Sequence, residues 1–339
     1  MDVLILGGTG LISTAITSQL LARGDQVTLF NRGKTPSRVP EGVVVIRGER
    51  DADEFEQQMQ AAGRFDVVID MICFTPEQAQ RDLRAFAGRV GQLIFCSTVN
   101  VYTKPADRYP YTEDARREPI DDEYGTKKAQ CEDIFLAAHQ RGELPVTIIR
   151  PAHTYGEGGV IIHSLGWSTT YLDRIRKGKP IIVHGDGSSL WVPCHIDDVA
   201  RAFVGACLNE RTFGKAYHTT GEEWLTWNRY HELVAQALDA PAPTLVHIPS
   251  DLLVRISRER AWTTYNNFSG NTIFDNSAAK AELGFRYSVP WVEGVRRTVA
   301  WLDAHGRVAD SDQDGFDDHV IAAWTRLCDQ LLVETAALR

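Results

Sequence analysis

The sequence predicts an α/β fold: a doubly wound parallel sheet followed by a smaller C-terminal α/β domain. Short apolar runs recur through the first half without polar alternation, as in VLILG (3–7), DVVIDMI (66–72) and PVTIIRPA (145–152). Strands of that kind are buried on both faces, which is how parallel sheets are built. Segments of helical period separate the runs, as parallel crossovers require. Beyond residue 155 this regularity gives way to Gly and Pro punctuation, marking a second region of different construction.

The elements follow in order. After VLILG comes a helix over 11–23, then the strands QVTLFN (26–31) and VVVIRG (43–48) and a helical stretch near 52–62. DVVIDMI leads to a helix at 76–88, QLIFCST (92–98) is the next strand, and EYGTKKAQCEDIF (123–135) lies on the helix before PVTIIRPA. YGEGG, GKP and HGDGSS then surround a helix near 164–177 and the strand PIIVHG. A helix begins near Asp197 or Asp198, and others fit 226–239, 277–283 and 290–305. These elements divide the chain into a dinucleotide-type domain over 1–160, to which 196–220 returns, and a substrate domain over 161–305. An appended tail fills 306–339: an acidic turn, then an amphipathic helix from about His319 with Val320, Ala323, Trp324, Leu327 and Leu331 on one stripe.

Bulk properties exclude several classes. Hydrophobic content of 43% and charged content of 24% over 339 residues are ordinary for a globular protein. A formal charge of −9 offers no basic face for a phosphate backbone, so no nucleic acid partner is expected. No apolar run approaches the ~20 residues of a membrane span, and no basic leader precedes the first strand. The six cysteines have no metal-type spacing and read as reduced thiols of a cytoplasmic protein.

GGTGLIS (7–13) joins the first strand to the first helix. There a glycine turn lets backbone amides and a helix N-terminus approach a pyrophosphate, so Gly7, Gly10, Leu11 and Ile12 are placed at a dinucleotide and the fold is Rossmann-type. Ser13 stands where a third Gly is common. The second strand ends in Asn31-Arg32, with Lys34 behind, rather than in the acid that would bond an NAD ribose. An uncharged residue followed by cations suits a 2′-phosphate, so NADP is favoured over NAD; solvated loop charges are the plainer account of the cations.

Tyr124 and Lys128 stand four residues apart, on one face of a helix. Alone, that spacing is commonplace. With the glycine loop, the strand ending FCSTVNVY, IIRPAHTYG (148–156), VHGDGSSLWVPCHIDDVARAF (183–203) and FDNSAAKAELGF (274–285), the chain resembles the extended short-chain dehydrogenase/reductase family, which includes nucleotide-sugar epimerases and dehydratases. The resemblance runs from residue 1 to about 303. It implies Tyr124 as acid/base, Lys128 as its tuning partner and holder of the nicotinamide ribose, and Thr98 as a hydrogen-bond partner of the substrate oxygen. A phenol titrates near ~10 when unperturbed, so neighbouring positive charge is needed to ionise it at neutral pH. The resemblance also places Glu49, Asp70 and Pro151 along the cofactor, and suggests a homodimer packed through the Tyr124 helix.

Departures from the family narrow the substrate. The family's dehydratases carry Asp-Glu after the Thr; Val99 and Asn100 stand here and offer no acid or base for water loss, so dehydration is not expected. The arginine that clamps a substrate diphosphate after the GDG turn is Trp191, and TTYNNFSGNTIFDN lacks the later clamping arginine. Arginine pairs bidentately with phosphate, and tryptophan cannot replace it; Arg174, Arg176 and Lys179 are the alternative cations. Trp191 instead offers a face for a sugar-like ring. DSDQDGFDDHVI (310–321) imitates a calcium loop but has Ile321 at the twelfth position, and no histidine spacing fits zinc, so no metal is expected. The expectation is an NAD(P)-dependent oxidoreductase acting on a small, sugar-like secondary alcohol or ketone, of the epimerase type, with a ketoreductase as the alternative. A non-catalytic dinucleotide-binding, RNA-associated scaffold is the rival class, because such relatives share a second strand similar to TLFNRGKT.

Overall fold

The computed structural model describes residues 1–34 and 40–338. The chain runs β1 (Asp2–Leu6), α1 (Leu11–Arg23), β2 (Gln26–Asn31), β3 (Val44–Arg47), α2 (Phe55–Ala61), β4 (Phe65–Asp70), α3 (Pro76–Phe86), β5 (Val90–Cys96), α4 (Glu123–Gln140) and β6 (Val146–Pro151). It continues through β7 (Thr154–Tyr155), α5 (Thr170–Arg176), β8 (Ile181–His184), β9 (Leu190–Trp191), β10 (Cys194–His195), α6 (Ile196–Ala206), β11 (Lys215–Thr219) and β12 (Leu225–Thr226). The remainder is α7 (Trp227–Ala237), β13 (Leu245–Ile248), α8 (Ser250–Ile256), α9 (Arg258–Thr263), α10 (Ser277–Leu283), α11 (Trp291–Ala304) and α12 (Phe316–Glu334).

Two compact units result. The first comprises 1–155, 192–222 and 273–290. Its sheet has the strand order β11-β6-β5-β4-β1-β2-β3, and every neighbouring pair is parallel. The apolar runs have a direct cause: successive residues point to opposite faces, and both faces are covered. Val3, Ile5, Val67 and Ile69 pack with Ile16 and Leu20 of α1 and Val199 and Phe203 of α6. Leu4, Leu6, Val68 and Phe95 pack with Leu83 and Phe86 of α3 and Phe135 of α4. Each such side chain contributes roughly 1.5–3 kcal/mol when fully buried. Beside β1 the winding reverses: β2 and β3 lie on one side and β4 on the other. Ligands of open α/β sheets bind at the carboxyl ends of strands flanking such a reversal.

The second unit comprises 156–191, 223–272 and 291–339. It holds two short strand pairs, β8–β13 parallel and β9–β12 antiparallel. The helix expected from about His319 starts at Phe316, and only its first half packs: Phe316, Val320, Ile321 and Trp324 lie on Ile182, Ile248 and Leu253. Leu327 and Leu331, expected on the same stripe, are exposed. Among the described residues, no helix is long and apolar enough to cross a membrane.

Candidate active site

The glycine loop leaves β1 at Gly7, whose φ of +84° falls in the left-handed region that glycine alone adopts freely. A Cβ there would lie 2.3 Å from Ile72 Cγ2, so Gly7 also admits the turn that follows β4. Gly10 is the N-cap of α1 and has no side chain to bond the first amides, no acidic residue stands in the first turn, and Leu11 and Ile12 are half-buried at its start. Ser13 fills the third glycine position by turning its Oγ back to the Gly7 carbonyl, 2.8 Å away. The helix N-terminus is therefore uncapped and uncompensated, which suits an anion.

At the end of β2, Asn31 is buried and accepts from the Gly33 amide through Oδ1 at 2.8 Å. Its Nδ2 is buried without a partner among the described residues. A buried amide donor left over at the end of β2 fits a ligand hydroxyl or phosphate. Arg32 and Lys34 are exposed.

Asp70 ends β4 with no exposed surface; its Oδ1 accepts from the Ile72 amide at 2.7 Å and its Oδ2 from Arg50 at 3.0 Å. Arg50, also buried, reaches Asp82 at 2.6 Å and the Gln78 carbonyl. Asp82 is fully buried, and desolvation, then the Asp70 charge, push its carboxyl well above the usual range while Arg50 opposes them. Asp70 is thus the anchor of the turn that faces Gly7. Asp70, Cys73 and Asp82 bring metal-type ligand atoms within 4.8 Å of one another, but the Arg50 guanidinium already neutralises them. Glu49, the residue singled out beside Arg50, is exposed.

Thr98 caps a short 3-10 turn, its Oγ1 accepting from the Asn100 amide at 3.2 Å. Asp122 caps α4 by accepting from the Gly125 amide at 2.9 Å, and this fixes where Tyr124 emerges. Thr98 is among the groups that act on the Tyr124 phenol, lowering its pKa, so these two predicted residues are neighbours. Tyr124 keeps 42% of its surface open, yet desolvation raises its phenol pKa above the ordinary value, Cys96 and Asp122 adding to the rise and Thr98 opposing it. Lys128, 2% exposed, donates to the carbonyl oxygens of Cys73, at 2.8 Å, and of Cys96. Its ammonium lies 4.2 Å from the Phe95 ring centre. The Lys128 ammonium ties the turn after β4 and the end of β5 to α4, and burial is the largest influence on the Tyr124 phenol. Pro151 closes β6, buried, beside Thr219 of β11. Trp191 belongs to the second unit, 8% exposed, its ring 4.8 Å from Phe268 and 5.5 Å from Trp227.

Several buried neighbours of the predicted residues escaped sequence reading. Glu132, one turn past Lys128 on the same face, accepts from Ser97 at 2.5 Å and takes both arms of Arg150 at 2.8 and 2.6 Å. Arg150 also donates to the Tyr102 hydroxyl at 2.6 Å, and that hydroxyl bonds His218 Nε2 at 2.6 Å. Desolvation keeps His218 neutral, its pKa pushed down to about 3. This buried network fixes the residues before Thr98 and Pro151 against α4. The recurrence at 124, 128 and 132 was the available signal. Lys104 donates to Asn100 Oδ1 at 3.2 Å, and desolvation lowers its pKa to about 8 against the pull of Asp122.

The sequence profile of the NAD dependent epimerase/dehydratase family matches residues 3–218. The chain belongs to that family. It is an enzyme of the extended short-chain dehydrogenase/reductase class and depends on a nicotinamide dinucleotide. It is 30% identical over 312 residues to 2'-dehydrokanamycin reductase of Streptomyces kanamyceticus, an alignment covering 92% of this chain and 87% of that one. It is 28% identical over 258 residues to the chloroplast stem-loop binding protein of 41 kDa b of Arabidopsis thaliana, covering 72% and 65%. Among solved structures, UDP-glucuronic acid 4-epimerase of Bacillus cereus, in complex with UDP-glucuronic acid and NAD, superposes with a TM-score of 0.71 at 18% identity, covering 90% of this chain and all of that one. At that identity the likeness speaks for the epimerase fold.

Proposed function

We propose that this family member reduces a ketone on a sugar-like substrate that carries no nucleotide, with Tyr124 as proton donor. The observation that carries the reading is the similarity to 2'-dehydrokanamycin reductase along nearly the whole of both chains. The charge pattern agrees. The three alternative cations for the missing diphosphate clamp are engaged elsewhere. Arg174 meets Asp318 at 2.7 Å, Arg176 meets Asp303 at 2.7 Å, and Lys179 meets Asp312.

When bound, the reduced nicotinamide supplies the hydride. Gly7, Gly10, Leu11 and Ile12 hold the pyrophosphate, and Asn31, with Arg32 and Lys34, holds the adenine ribose; the two exposed cations favour a 2′-phosphate, hence NADPH. Thr98 and Tyr124 bond the ketone oxygen together, and Tyr124 gives that oxygen its proton as the alcohol forms. Proton donation asks only for a neutral phenol, which an ordinary phenol already is at neutral pH. Lys128 holds the Cys73 and Cys96 carbonyls, and so the floor of the site, in register.

The test is oxidation of NADPH and NADH, followed by absorbance, with a panel of keto-sugars and keto-amino sugars without nucleotides and with UDP-sugars in parallel. NADPH consumption by a non-nucleotide ketone, and a swing toward NADH in Asn31→Asp, are expected. Retained oxidised NAD with interconversion of UDP-sugars would replace the reading with epimerisation. The similarity to the stem-loop binding protein motivates a second reading, RNA association, which predicts salt-sensitive gel shifts and no ketone-dependent NADPH consumption.

A further inference from the structure

Cys73 and Cys131 are both without exposed surface, and their sulfurs are 3.9 Å apart in a thiol–thiol hydrogen bond. Neither takes part in the chemistry above, yet both touch its supports. Cys131 lies one turn after Lys128 on α4. Cys73 lies on the turn between β4 and α3, between Ile72, which packs on Gly7, and Phe74, whose ring is 6.5 Å from that of Tyr124. The carbonyl of Cys73 itself receives the Lys128 ammonium.

We propose that Cys73 and Cys131 form an oxidisable dithiol whose closure to a disulfide withdraws the turn that seats the dinucleotide. This rests on the cofactor placement proposed above. The sulfurs must close from 3.9 Å to roughly 2 Å. Residues 123–140 are a regular helix held by Glu132 and Lys128, whereas 71–75 form an irregular turn, so the turn yields. Its movement takes the Cys73 carbonyl from Lys128 and Ile72 from Gly7. Cys131 is the partner poised to react: the S–H bond from Cys73 lowers its pKa, burial opposes, and the Lys128 charge lowers it further, while Cys73 is raised by burial.

A small oxidant such as hydrogen peroxide suits a buried pair. The Cys131 thiolate takes one peroxide oxygen, forming the sulfenic acid and releasing hydroxide. Cys73 sulfur then attacks the Cys131 sulfur, the S–O bond breaks, and water leaves with the Cys73 proton. Two electrons pass from the sulfur pair to one peroxide.

The experiment treats the full-length protein with graded hydrogen peroxide, blocks free thiols, and maps peptides without reductant; NADPH is then titrated by fluorescence. A Cys73–Cys131 linked peptide, at least roughly tenfold weaker NADPH binding and recovery with dithiothreitol are expected. Cys131→Ala and Cys131→Ser should bind NADPH like the reduced wild type and keep that affinity after peroxide; thermal melts confirm that each is folded. Oxidation confined to Cys207 or Cys328 with no bridge overturns the proposal. So does a bridge that leaves NADPH binding unchanged, or equal loss of binding in the Cys131 variants. If the reduced wild type binds neither NADPH nor NADH, the cofactor placement falls, and the linked peptide alone decides whether the dithiol exists.

Discussion

Replacing Arg50 with alanine removes the one cation among two carboxylates that have no exposed surface. Asp70 and Asp82 lose partners at 3.0 and 2.6 Å, and the Gln78 carbonyl loses a donor. Deleting one partner of a buried pair costs about 3–5 kcal/mol, because the remaining charge stays desolvated. Unfolding entropy of ~2.1 cal/mol/K per residue over 339 residues is about 0.7 kcal/mol/K, so the melting temperature should fall by roughly 4–7 °C. The deficit should also depend on pH. The folded pKa of Asp82 lies above its unfolded value, so its contribution is complete below the unfolded pKa and is lost as pH rises through the folded one. Arg50 opposes that rise, so without it the folded pKa climbs further. Melts of both proteins between pH 5 and pH 8 should therefore diverge as pH increases. A shift below about 1 °C, or one independent of pH, would refute the view that Arg50 acts by neutralising buried carboxylates.

Tyr124→Phe should lower ketone-dependent NADPH oxidation by roughly 10²–10⁴ while NADPH titration is unchanged, which separates proton donation from cofactor binding. Gly7→Ala must hold a left-handed φ of +84° and push Ile72 aside. A cost of about 1–3 kcal/mol in chemical denaturation, together with weakened NADPH binding, is expected. Arg174→Ala strips Asp317 of its ion pair and leaves Asp318 only Lys179, 3.8 Å away, loosening the last helix. Limited proteolysis should then cut within 306–315 in the variant before it cuts the wild type.

Much of the first unit was legible because parallel strands covered on both faces are apolar in runs rather than in alternation, as β1, β4 and β5 are here. The helix over 11–23 and the strand over 26–31 fall where the pattern put them, and the Gly7 loop joins its strand and helix as the motif requires. Short elements were missed: β7, β9, β10 and β12 have two residues each, too few to show a period, and β13 with α8 and α9 falls where no periodicity was read. Within the site, residue types were readable and partners were not. RGER drew attention to the exposed Glu49 and away from the buried Arg50, because an ion pair spanning 20 residues of sequence leaves no local mark. Lys128 was read by its spacing from Tyr124, but the carbonyls it holds come from two strand ends that only the fold brings together. Trp191 was marked by its place after the GDG turn; its packing on Phe268 could not be foreseen from TTYNNFSG. The acids that imitate a calcium loop answer cations instead: Asp310 and Asp312 meet Lys177, and Asp314 meets Arg260.

That last arrangement gives the two halves of the chain different sensitivities. The helix-to-tail contacts of the second unit are moored largely by pairs in water, where added electrolyte within a Debye length of ~10 Å at 0.1 M weakens the attraction. The ion pairs of Arg50 lie out of reach of solvent, so electrolyte hardly touches them, and through the raised Asp82 carboxyl proton activity governs instead. Ionic strength and acidity are thus separate handles on one polypeptide, each loosening a different portion.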